Sequence, residues 1–237
     1  MKTRDTNVIL CNFIKGGAGK TTLAVHITGI LIERTASQVL LIDCDPRPDS
    51  WRFFSGSRPP IGSTRLSLHK GVDLWWNPPQ PKGSRFKPLT KRVYEDYDYI
   101  VIDADSPPED SLTILSDALP DIFLLPIAES QSHAIEDIQP FIRDLEREIR
   151  FEKDSGIDYN PIIKVVPLGI SPEEIEPEID VNEFRDVEVR ICSPMRFLAS
   201  EVRRSLKERI LIWNYPDLED MESYFVSLIQ DEIREVQ

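Results

Sequence analysis

Cysteine and histidine are scarce in this sequence, which has three of each among 237 residues. The cysteines Cys11, Cys44 and Cys192 lie far apart and include no CxxC pair, so nothing indicates a disulfide framework. Two of the three stand in apolar runs. We therefore expect buried, reduced thiols in a cytosolic protein.

A long apolar segment is also missing. No run approaches the roughly 18 residues of a membrane span, and residues 1–6 contain no hydrophobic signal segment. The hydrophobic fraction is nevertheless 41%, which is sufficient for a buried core. These features predict a soluble, intracellular protein with a single domain over residues 1–237.

Positive charge is in deficit, since the formal net charge is −13. This balance argues against a protein that coats nucleic acid over its whole surface. It does not exclude a local basic face, so the distribution of charge along the chain matters more than the sum.

The most informative stretch lies between an apolar run at 8–13 and a helical pattern that begins at about Leu23. This stretch, here called the phosphate loop, consists of Lys15, Gly16, Gly17, Ala18, Gly19, Lys20, Thr21 and Thr22. A strand, a glycine-rich turn and a helix N-terminus place backbone N–H groups around a concavity that suits phosphate oxygens. The glycines permit close approach of the backbone to phosphate. The sequence therefore predicts a site for nucleotide phosphates.

The side chains of the phosphate loop suit ATP and Mg²⁺. Lys20 can reach the β- and γ-phosphates, the Thr21 hydroxyl can coordinate Mg²⁺, and Thr22 is left for a more internal phosphate. The Walker A pattern would place glycine at position 14, where this chain has Ile14. The motif is therefore a variant one.

A lysine before two glycines, then a small residue and Gly-Lys-Thr-Thr, resembles the deviant Walker A box of the ParA/MinD family of dimeric ATPases. The resemblance is closest to the ParA-like partition ATPases. It implies ATP and Mg²⁺ as cofactors, a homodimer that forms on ATP, and a Lys15 that reaches the phosphates of the partner subunit. The sequence shows no task for Lys15 within its own subunit.

Two aspartates follow the apolar run 39–42, in the segment Asp43-Cys44-Asp45-Pro46. Ligands of open α/β sheets bind beyond the carboxyl ends of strands, so both should lie beside the phosphate loop. The family resemblance assigns Asp43 to hydrated Mg²⁺ and Asp45 to the attacking water. As an alternative, either carboxylate, Asp45 more readily than Asp43, would cap a turn or helix before Pro46. Arg47 replaces the usual glutamine of the family.

A third carboxylate, Asp103, ends the predicted strand 99–103 and fits a Walker B position that holds Mg²⁺ through water. Asp105 competes for this role, because the prolines that follow stand two residues later than in the family. Relatives read adenine with an asparagine near the end of the predicted strand 162–168. Here Pro167-Leu168-Gly169 occupies that place, which leaves the recognition of the base open.

Two segments are locally basic. Between Ser57 and Arg92 eight basic residues face one acid, which predicts either a surface for DNA phosphates or a solvated loop region. The second segment spans 190–209. Its spacing predicts a helical face with Arg196, Arg203 and Lys207, with Arg204 adjacent, while Phe197, Val202 and Leu206 face inward. ParA-like proteins bind DNA without sequence preference in this part of the chain, and a salt-bridged surface helix is the alternative.

The remaining patterns predict a strand at 122–127, an amphipathic helix at 132–150 and an acidic, solvated helix or loop at 171–188. A last helix from about 217 to 236 is acidic, so an anionic membrane would repel it, and we expect it to pack on the domain.

Alternating strands and helices, with carboxylates at strand ends, predict an α/β fold. It would be a doubly wound, mainly parallel sheet flanked by helices, as in P-loop NTPases. The resemblance implies a cytoplasmic ATPase that joins the nucleoid when ATP-bound, binds DNA nonspecifically and positions a plasmid, chromosome or protein cargo. A ParB-like or other adaptor would stimulate hydrolysis. The alternatives are a P-loop enzyme that activates or phosphorylates a small substrate, and an iron–sulfur reductase, which the buried Cys11 and Cys44 disfavour.

Overall fold

A computed structural model describes residues 6–13, 15–61, 63–68, 71–78, 86–104 and 108–233. Eight strands form one sheet in the order β3-β4-β2-β5-β1-β6-β7-β8. The strands are β1 Asn7–Asn12, β2 Val39–Asp43, β3 Arg65–Leu68, β4 Val72–Trp76, β5 Tyr99–Ala104, β6 Ile122–Ala128, β7 Ile162–Leu168 and β8 Glu188–Ile191. All neighbouring pairs are parallel except β3 and β4, which are antiparallel.

Helices connect the strands. They are α1 Lys20–Arg34, α2 Asp49–Ser55, α3 Lys91–Asp96, α4 Pro108–Ala118, α5 Ile138–Asp154, α6 Pro172–Ile175, α7 Ala199–Glu208 and α8 Asp220–Ser227. One face of the sheet packs against α1 and α8, and the other packs against α4 and α5. This arrangement explains why the central strands read as continuous apolar runs, since both of their faces are covered. The predicted fold class is confirmed.

The register of the central strands fixes the position of the site. The first strand lies between β5 and β6, so the phosphate loop leaves the middle of the sheet. Residue pairing between β2 and β5 places Asp43 directly beside Asp103. Both carboxylates therefore stand beside the loop at the carboxyl ends of the central strands, as predicted.

A buried histidine joins α1 to the end of the chain. The His26 ring stacks on Phe225 with 4.6 Å between centroids, and the Trp213 ring meets its edge at 5.5 Å. His26 Nδ1 lies 2.7 Å from the carbonyl oxygen of Thr22, and Nε2 accepts the N–H of Ile212 at 3.2 Å. This histidine is a packed residue that ties the phosphate-loop helix to residues 212–225.

Several element boundaries differ from the predictions. The described residues of the stretch 51–92 contain the strands β3 and β4, most of α2 and the start of α3, although much of this stretch is predicted as either a DNA-binding surface or a solvated loop region. The predicted helix at 132–150 begins at Ile138, after a 3-10 segment at Glu129–Asp137. The final α-helix ends at Ser227, although Leu228, Ile229 and Ile233 remain buried as the chain continues in turns. Residues 234–236 of that prediction lie outside the described residues.

The acidic segment 171–188 is less solvated than predicted. It contains α6 and two 3-10 turns, and it buries Ile175, Ile179 and Phe184 in the core. Its last residue, Glu188, already belongs to the edge strand β8. Among the helices that the structure describes, none has both the length and the apolar character needed to span a membrane.

Candidate nucleotide-binding site

The phosphate loop has the backbone geometry that its glycines predict. Gly17 and Gly19 adopt φ values of 76° and 113°, in the left-handed region that favours glycine. A Cβ at Gly19 would stand 2.2 Å from Leu168 Cδ1, so the loop lies directly against the end of β7. Gly19 also precedes α1, and no side chain of the described residues caps this helix. Its first N–H groups therefore suit an anion.

The side chain of Lys20 turns back toward the start of the phosphate loop. The residue is only 5% exposed, and Nζ donates a hydrogen bond to the carbonyl oxygen of Lys15 at 2.7 Å. A buried ammonium is costly unless negative charge compensates it. The ammonium group therefore lies beside the phosphate-loop backbone, where it can bind phosphate.

Lys15 has a partner within its own subunit, contrary to the expectation that it has no task there. Its Nζ lies 3.1 Å from Asp137 Oδ2, and both side chains are 38% exposed. Asp137 ends the 3-10 segment that follows β6. The sequence did not indicate this pair, because 122 residues separate the two positions.

The carboxylates Asp43 and Asp103 differ in their hydrogen bonds. Asp43 accepts the backbone N–H of Asp45 at 2.9 Å, the Ser50 hydroxyl at 2.7 Å and the N–H of Trp51 at 2.9 Å. Burial raises the pKa of Asp43 to about 6, and these bonds oppose the rise. Asp43 thus has a structural task, to hold the first turn of α2, in addition to the Mg²⁺ role predicted for it.

Asp103 is buried with both carboxylate oxygens unsatisfied. Neither oxygen forms a hydrogen bond of acceptable geometry within the described residues. Its pKa is raised by burial and then by the charge of Asp43, while the nearby Thr21 and Ser50 hydroxyls and Lys20 act in the opposite direction. An orphaned carboxylate beside Thr21 fits a divalent cation.

The residues present therefore fit Mg²⁺ held by Asp103 and Thr21. The described residues contain no group of three His, Cys, Asp or Glu side chains that could hold a metal by themselves. Mg²⁺ keeps several waters and takes few protein ligands where phosphates complete its shell, so two groups suffice. The competing candidate Asp105 lies outside the described residues.

Asp45 stands in a turn held by its backbone. Its Oδ1 accepts the N–H of Arg47 at 2.6 Å, and its carbonyl oxygen accepts the indole Nε1–H of Trp76 at 2.9 Å. The turn-capping alternative is therefore part of its role. Arg47, which replaces the usual glutamine, enters this turn through its backbone. Trp76 was not predicted to approach the site, because nothing in a strand-end tryptophan indicates its bonding partner.

A cavity of about 810 Å³ opens from the phosphate loop between α2 and α7. This volume is within the range of about 300–1,000 Å³ that small-molecule sites occupy. Its polar end contains the phosphate loop and Asp45. Its other walls are formed by Asp49, Arg52, Phe53, Gly56, Ala128, Glu129, Ser130, Leu168, Met195, Phe197, Leu198, Ala199, Val202, Arg203, Leu206, Lys207 and Arg209.

The four residues predicted to bind DNA divide into two pairs. Arg203 and Lys207 are exposed on the α7 wall of the cavity. Arg196 binds Asp220 at 2.8 Å and the carbonyl oxygen of Asp217 at 2.9 Å. Arg204 binds Glu208 at 3.1 Å and lies 4.6 Å over the ring of Tyr215.

The predicted helical face is wrong in part. Arg196 precedes the helix, which begins at Ala199, so helical spacing does not relate it to Arg203. Phe197 is also misassigned, because it is 63% exposed instead of facing inward. Both errors have one cause: the strand β8 and an irregular stretch occupy positions that the periodicity extended as helix.

The basic segment 57–92 is balanced by acids at its C-terminal end, where two of its eight basic residues form ion pairs. Lys91 pairs with Glu95 and Arg92 with Asp96, each at 3.4 Å. Arg65 lies 4.0 Å over the Trp75 ring. These ion pairs favour the solvated-surface alternative for the C-terminal end of the segment, while Lys70, Lys82 and Arg85 lie outside the described residues.

Cys11 and Cys44 are buried, as predicted, whereas Cys192 is only half-buried. Cys11 and Cys44 are 0% and 1% exposed, and burial raises the pKa of the Cys11 thiol well above its usual value. Neither sulfur is accessible at a surface that a second subunit could share. The iron–sulfur alternative therefore finds no support in the positions of these cysteines.

Solved structures of similar shape are nucleotide-binding proteins. An McdA variant from Cyanothece in complex with ATP superposes with a TM-score of 0.67 at 18% identity, over 95% of this chain and 96% of that one. A plasmid partition protein from Borrelia burgdorferi B31 bound to AMPPNP gives 0.59 at 18%, over 96% and 100%. The cell division ATPase MinD from Pyrococcus furiosus gives 0.58 at 19%, over 95% and 97%.

At these identities the likeness shows the fold alone. A search of curated protein sequences found no match. The family model described as the CobQ/CobB/MinD/ParA nucleotide binding domain matches residues 9–229, which is most of the chain. The chain therefore belongs to the CobQ/CobB/MinD/ParA nucleotide-binding family and is a ParA/MinD-like member of it.

Proposed function

We propose that this protein is an ATPase of the ParA type, formed by one domain, which hydrolyses ATP to ADP and phosphate. The observation that carries the proposal is that three groups lie together at the carboxyl ends of the central strands. They are a positive-φ phosphate loop, a buried Lys20 and the unsatisfied carboxylate of Asp103. A cavity large enough for a nucleotide opens from these strand ends.

Each side chain has a defined task in the proposed reaction. Lys20, with the backbone of residues 16–22, binds the phosphates and stabilises charge on the transferred group. Thr21 and Asp103 hold Mg²⁺, with Asp43 beside them, and the bound cation supplies additional positive charge at the phosphates. Asp45 orients the attacking water from the wall of the cavity.

Phosphate release in the presence of ATP and Mg²⁺ tests this proposal. Asp45→Ala is expected to keep ATP affinity and to lose turnover by about 100-fold or more, the usual scale for a group that positions a proton. Asp49→Ala is the matched control, because this carboxylate lines the same cavity but pairs with Arg52 at 3.0 Å. Normal turnover of Asp45→Ala would remove Asp45 from its role.

We further propose a nucleotide-sandwich dimer, in which Lys15 leaves Asp137 and reaches the phosphates bound by the partner subunit. Lys15→Ala is expected to retain ATP binding and to lose dimerisation or hydrolysis. Light scattering after size-exclusion chromatography, with ADP and with ATP, measures the first effect. An unchanged ATP-dependent dimer with normal hydrolysis would show that Lys15 acts only within its own subunit.

DNA binding, as proposed here, is nonspecific, depends on ATP and uses Arg203 and Lys207. Of the four residues predicted to bind DNA, only these two line the cavity and form no ion pair that the structure shows, whereas Arg196 and Arg204 already bind carboxylates. Arg203→Ala/Lys207→Ala should weaken binding and reduce the salt dependence, with a log–log slope that falls by about 0.9 per lost contact.

The matched control for this experiment is Arg196→Ala/Arg204→Ala, which removes the same charge from neighbouring positions. Duplex DNA is titrated at several salt concentrations with ADP, ATP and a slowly hydrolysed analogue. DNA affinity that is the same with ADP and with ATP would contradict this assignment, and so would equal losses of DNA affinity in the two double variants.

The cellular role proposed is the positioning of a plasmid, chromosome region or protein assembly from the cytoplasm and nucleoid. The similar structures include a plasmid partition protein and a cell division ATPase, which supports this class of role. A ParB-like or other adaptor would stimulate hydrolysis. Turnover that rises with a small carboxylic or hydroxyl substrate, and not with DNA or protein, would instead indicate the small-molecule enzyme.

A further inference from the structure

One exposed aromatic side chain belongs to the nucleotide cavity. Among the described residues, five large hydrophobic side chains are exposed: Ile61, Phe151, Ile157, Phe197 and Ile210. Of these five, only Phe197 lines the cavity that contains the phosphate loop. A single exposed phenylalanine is ordinary by itself, but a ring that lines a binding cavity is open to contact with a ligand there.

The backbone that carries Phe197 is fixed. Gly169 donates its N–H to the carbonyl oxygen of Met195 at 3.0 Å, and Met195 donates to that of Pro167 at 2.8 Å. Gly169 has a φ of 78°, and a Cβ there would meet Phe197 Cα at 3.3 Å and Cδ2 at 2.9 Å. The backbone at Phe197 thus packs directly on the end of β7. The residue itself remains 63% exposed.

A continuous line of contact leads from this ring to the phosphate loop. Leu168 touches the loop at Gly19 through its side chain, and its neighbour Gly169 touches Phe197. The cavity wall on this side includes buried Leu168, Met195 and Leu198 and half-buried Val202 and Leu206, and the exposed Arg203, Lys207 and Arg209 also line it. The cavity therefore has the phosphate loop at one end and, at the other, an apolar strip with one aromatic face beside basic side chains.

We propose that Phe197 is the platform on which the base of the bound nucleotide stacks. This inference rests on the proposed nucleotide binding and adds the residue that holds the base. Nothing at Pro167-Leu168-Gly169 offers a side chain that could form hydrogen bonds to a base edge. Stacking on an aromatic face tolerates every base, because each has a π-face. Phe197 therefore contributes affinity for nucleoside triphosphates rather than a choice among bases.

The test compares ATP with inorganic tripolyphosphate, which has the phosphates but no base. Affinities for both are measured with Mg²⁺ by calorimetry or by displacement of a fluorescent nucleotide. Phe197→Ala is expected to bind ATP about 5- to 150-fold more weakly, which is the range of one base–aromatic stack. Its affinity for tripolyphosphate should equal that of the wild type, and Phe197→Trp should restore ATP affinity.

Phe151→Ala is the matched control, since this ring is also 63% exposed but lies on α5 outside the cavity. It should leave both affinities unchanged. An unchanged ATP affinity in Phe197→Ala would overturn the inference, and so would an equal loss for ATP and tripolyphosphate, which indicates a distorted phosphate loop. If the wild type bound neither ligand, the proposed ATPase function would itself fail.

Discussion

Lys15 and Asp137 form an ion pair, with 3.1 Å between Nζ and Oδ2, that joins the phosphate loop to the 3-10 segment after β6. Both side chains are partly exposed, and pairs of this kind contribute about 0–1 kcal/mol. The pair is therefore weak enough to exchange for a stronger anion. In the proposed dimer, Lys15 leaves Asp137 for the phosphates of the partner subunit.

Removal of the Asp137 charge should favour dimerisation. Asp137→Asn frees Lys15, so the ATP-dependent dimer is expected at up to about fivefold lower protein concentration, with the free energy of unfolding changed by less than about 1 kcal/mol. Sedimentation equilibrium with a slowly hydrolysed analogue measures the dimer constant. Asp144→Asn, which breaks a comparable exposed pair with Arg147 on α5, is the control. Equal dimer constants in all three proteins would show that Asp137 does not restrain Lys15.

Asp103 should stabilise the protein only when a cation is bound. Its orphaned, buried carboxylate imposes a desolvation cost, so Asp103→Asn is expected to raise the free energy of unfolding by about 1–3 kcal/mol at pH 8 without Mg²⁺. The variant should also lose the effect of Mg²⁺ on ATP affinity. Thermal unfolding and ATP titrations, each with and without Mg²⁺, measure the two effects.

Asp43→Asn provides the contrast, since Asp43 accepts three hydrogen bonds that an amide cannot fully replace. That variant should be less stable than the wild type under the same conditions. A destabilised Asp103→Asn that still responds to Mg²⁺ would mean that another group holds the cation.

His26 should make stability depend on pH below neutrality. Burial lowers its pKa from 6.5 to about 4, so the folded protein holds the neutral ring while the unfolded chain takes up a proton. Stability from this group is complete above pH 6.5 and is lost as the pH falls toward 4. The total loss is about 3 kcal/mol.

Asp43 acts in the opposite direction over a similar range. Its pKa is raised to about 6, so its contribution to stability is present at low pH and is lost as the pH rises. The wild type should therefore show a shallow profile in urea denaturation between pH 4 and 8. His26→Gln should remove the loss at low pH, whereas the exposed His133→Gln should behave as the wild type. Parallel profiles for all three would contradict the assigned role of His26.

Trp76 should affect turnover through the position of Asp45. Trp76→Phe removes the indole N–H that holds the Asp45 carbonyl at 2.9 Å, so the turn loosens while the phosphate loop stays intact. The expected result is a lower rate of phosphate release with unchanged ATP affinity. Trp75→Phe is the control, because Trp75 packs beneath Arg65 and bonds nothing in the turn that the structure shows. A fall in ATP affinity without a fall in the maximal rate would assign Trp76 to binding instead.

The sequence predicts the centre of this sheet better than its edges. The strands β1, β2, β5, β6 and β7 are buried on both faces, which produces the uninterrupted apolar runs that mark them. The edge strands β3 and β8 have four residues each and alternate between exposed and covered positions, so no run identifies them. Asp43 and Asp103 could be located from the sequence because each stands at the end of one of these apolar runs.

The contacts that complete the site are long-range and leave no local pattern. Trp76 reaches Asp45 over 31 positions, and Lys15 reaches Asp137 over 122. The start of α7 was missed because apolar residues at helical spacing continue upstream of Ala199 into non-helical backbone. Periodicity reports which residues would share a face if the helix were present, and it does not report where the helix begins.

The walls of the nucleotide cavity come from opposite ends of the chain, Gly17 to Thr22 on one side and residues 195–209 on the other. During synthesis, the phosphate loop leaves the ribosome about 10–40 s before α7 at ordinary elongation rates of about 5–20 residues per second. Through that interval the nascent chain has the loop without the wall that carries Phe197. Nucleotide capture would then wait for the synthesis of residues 195–209, and a fragment released before α7 would compete poorly for ATP.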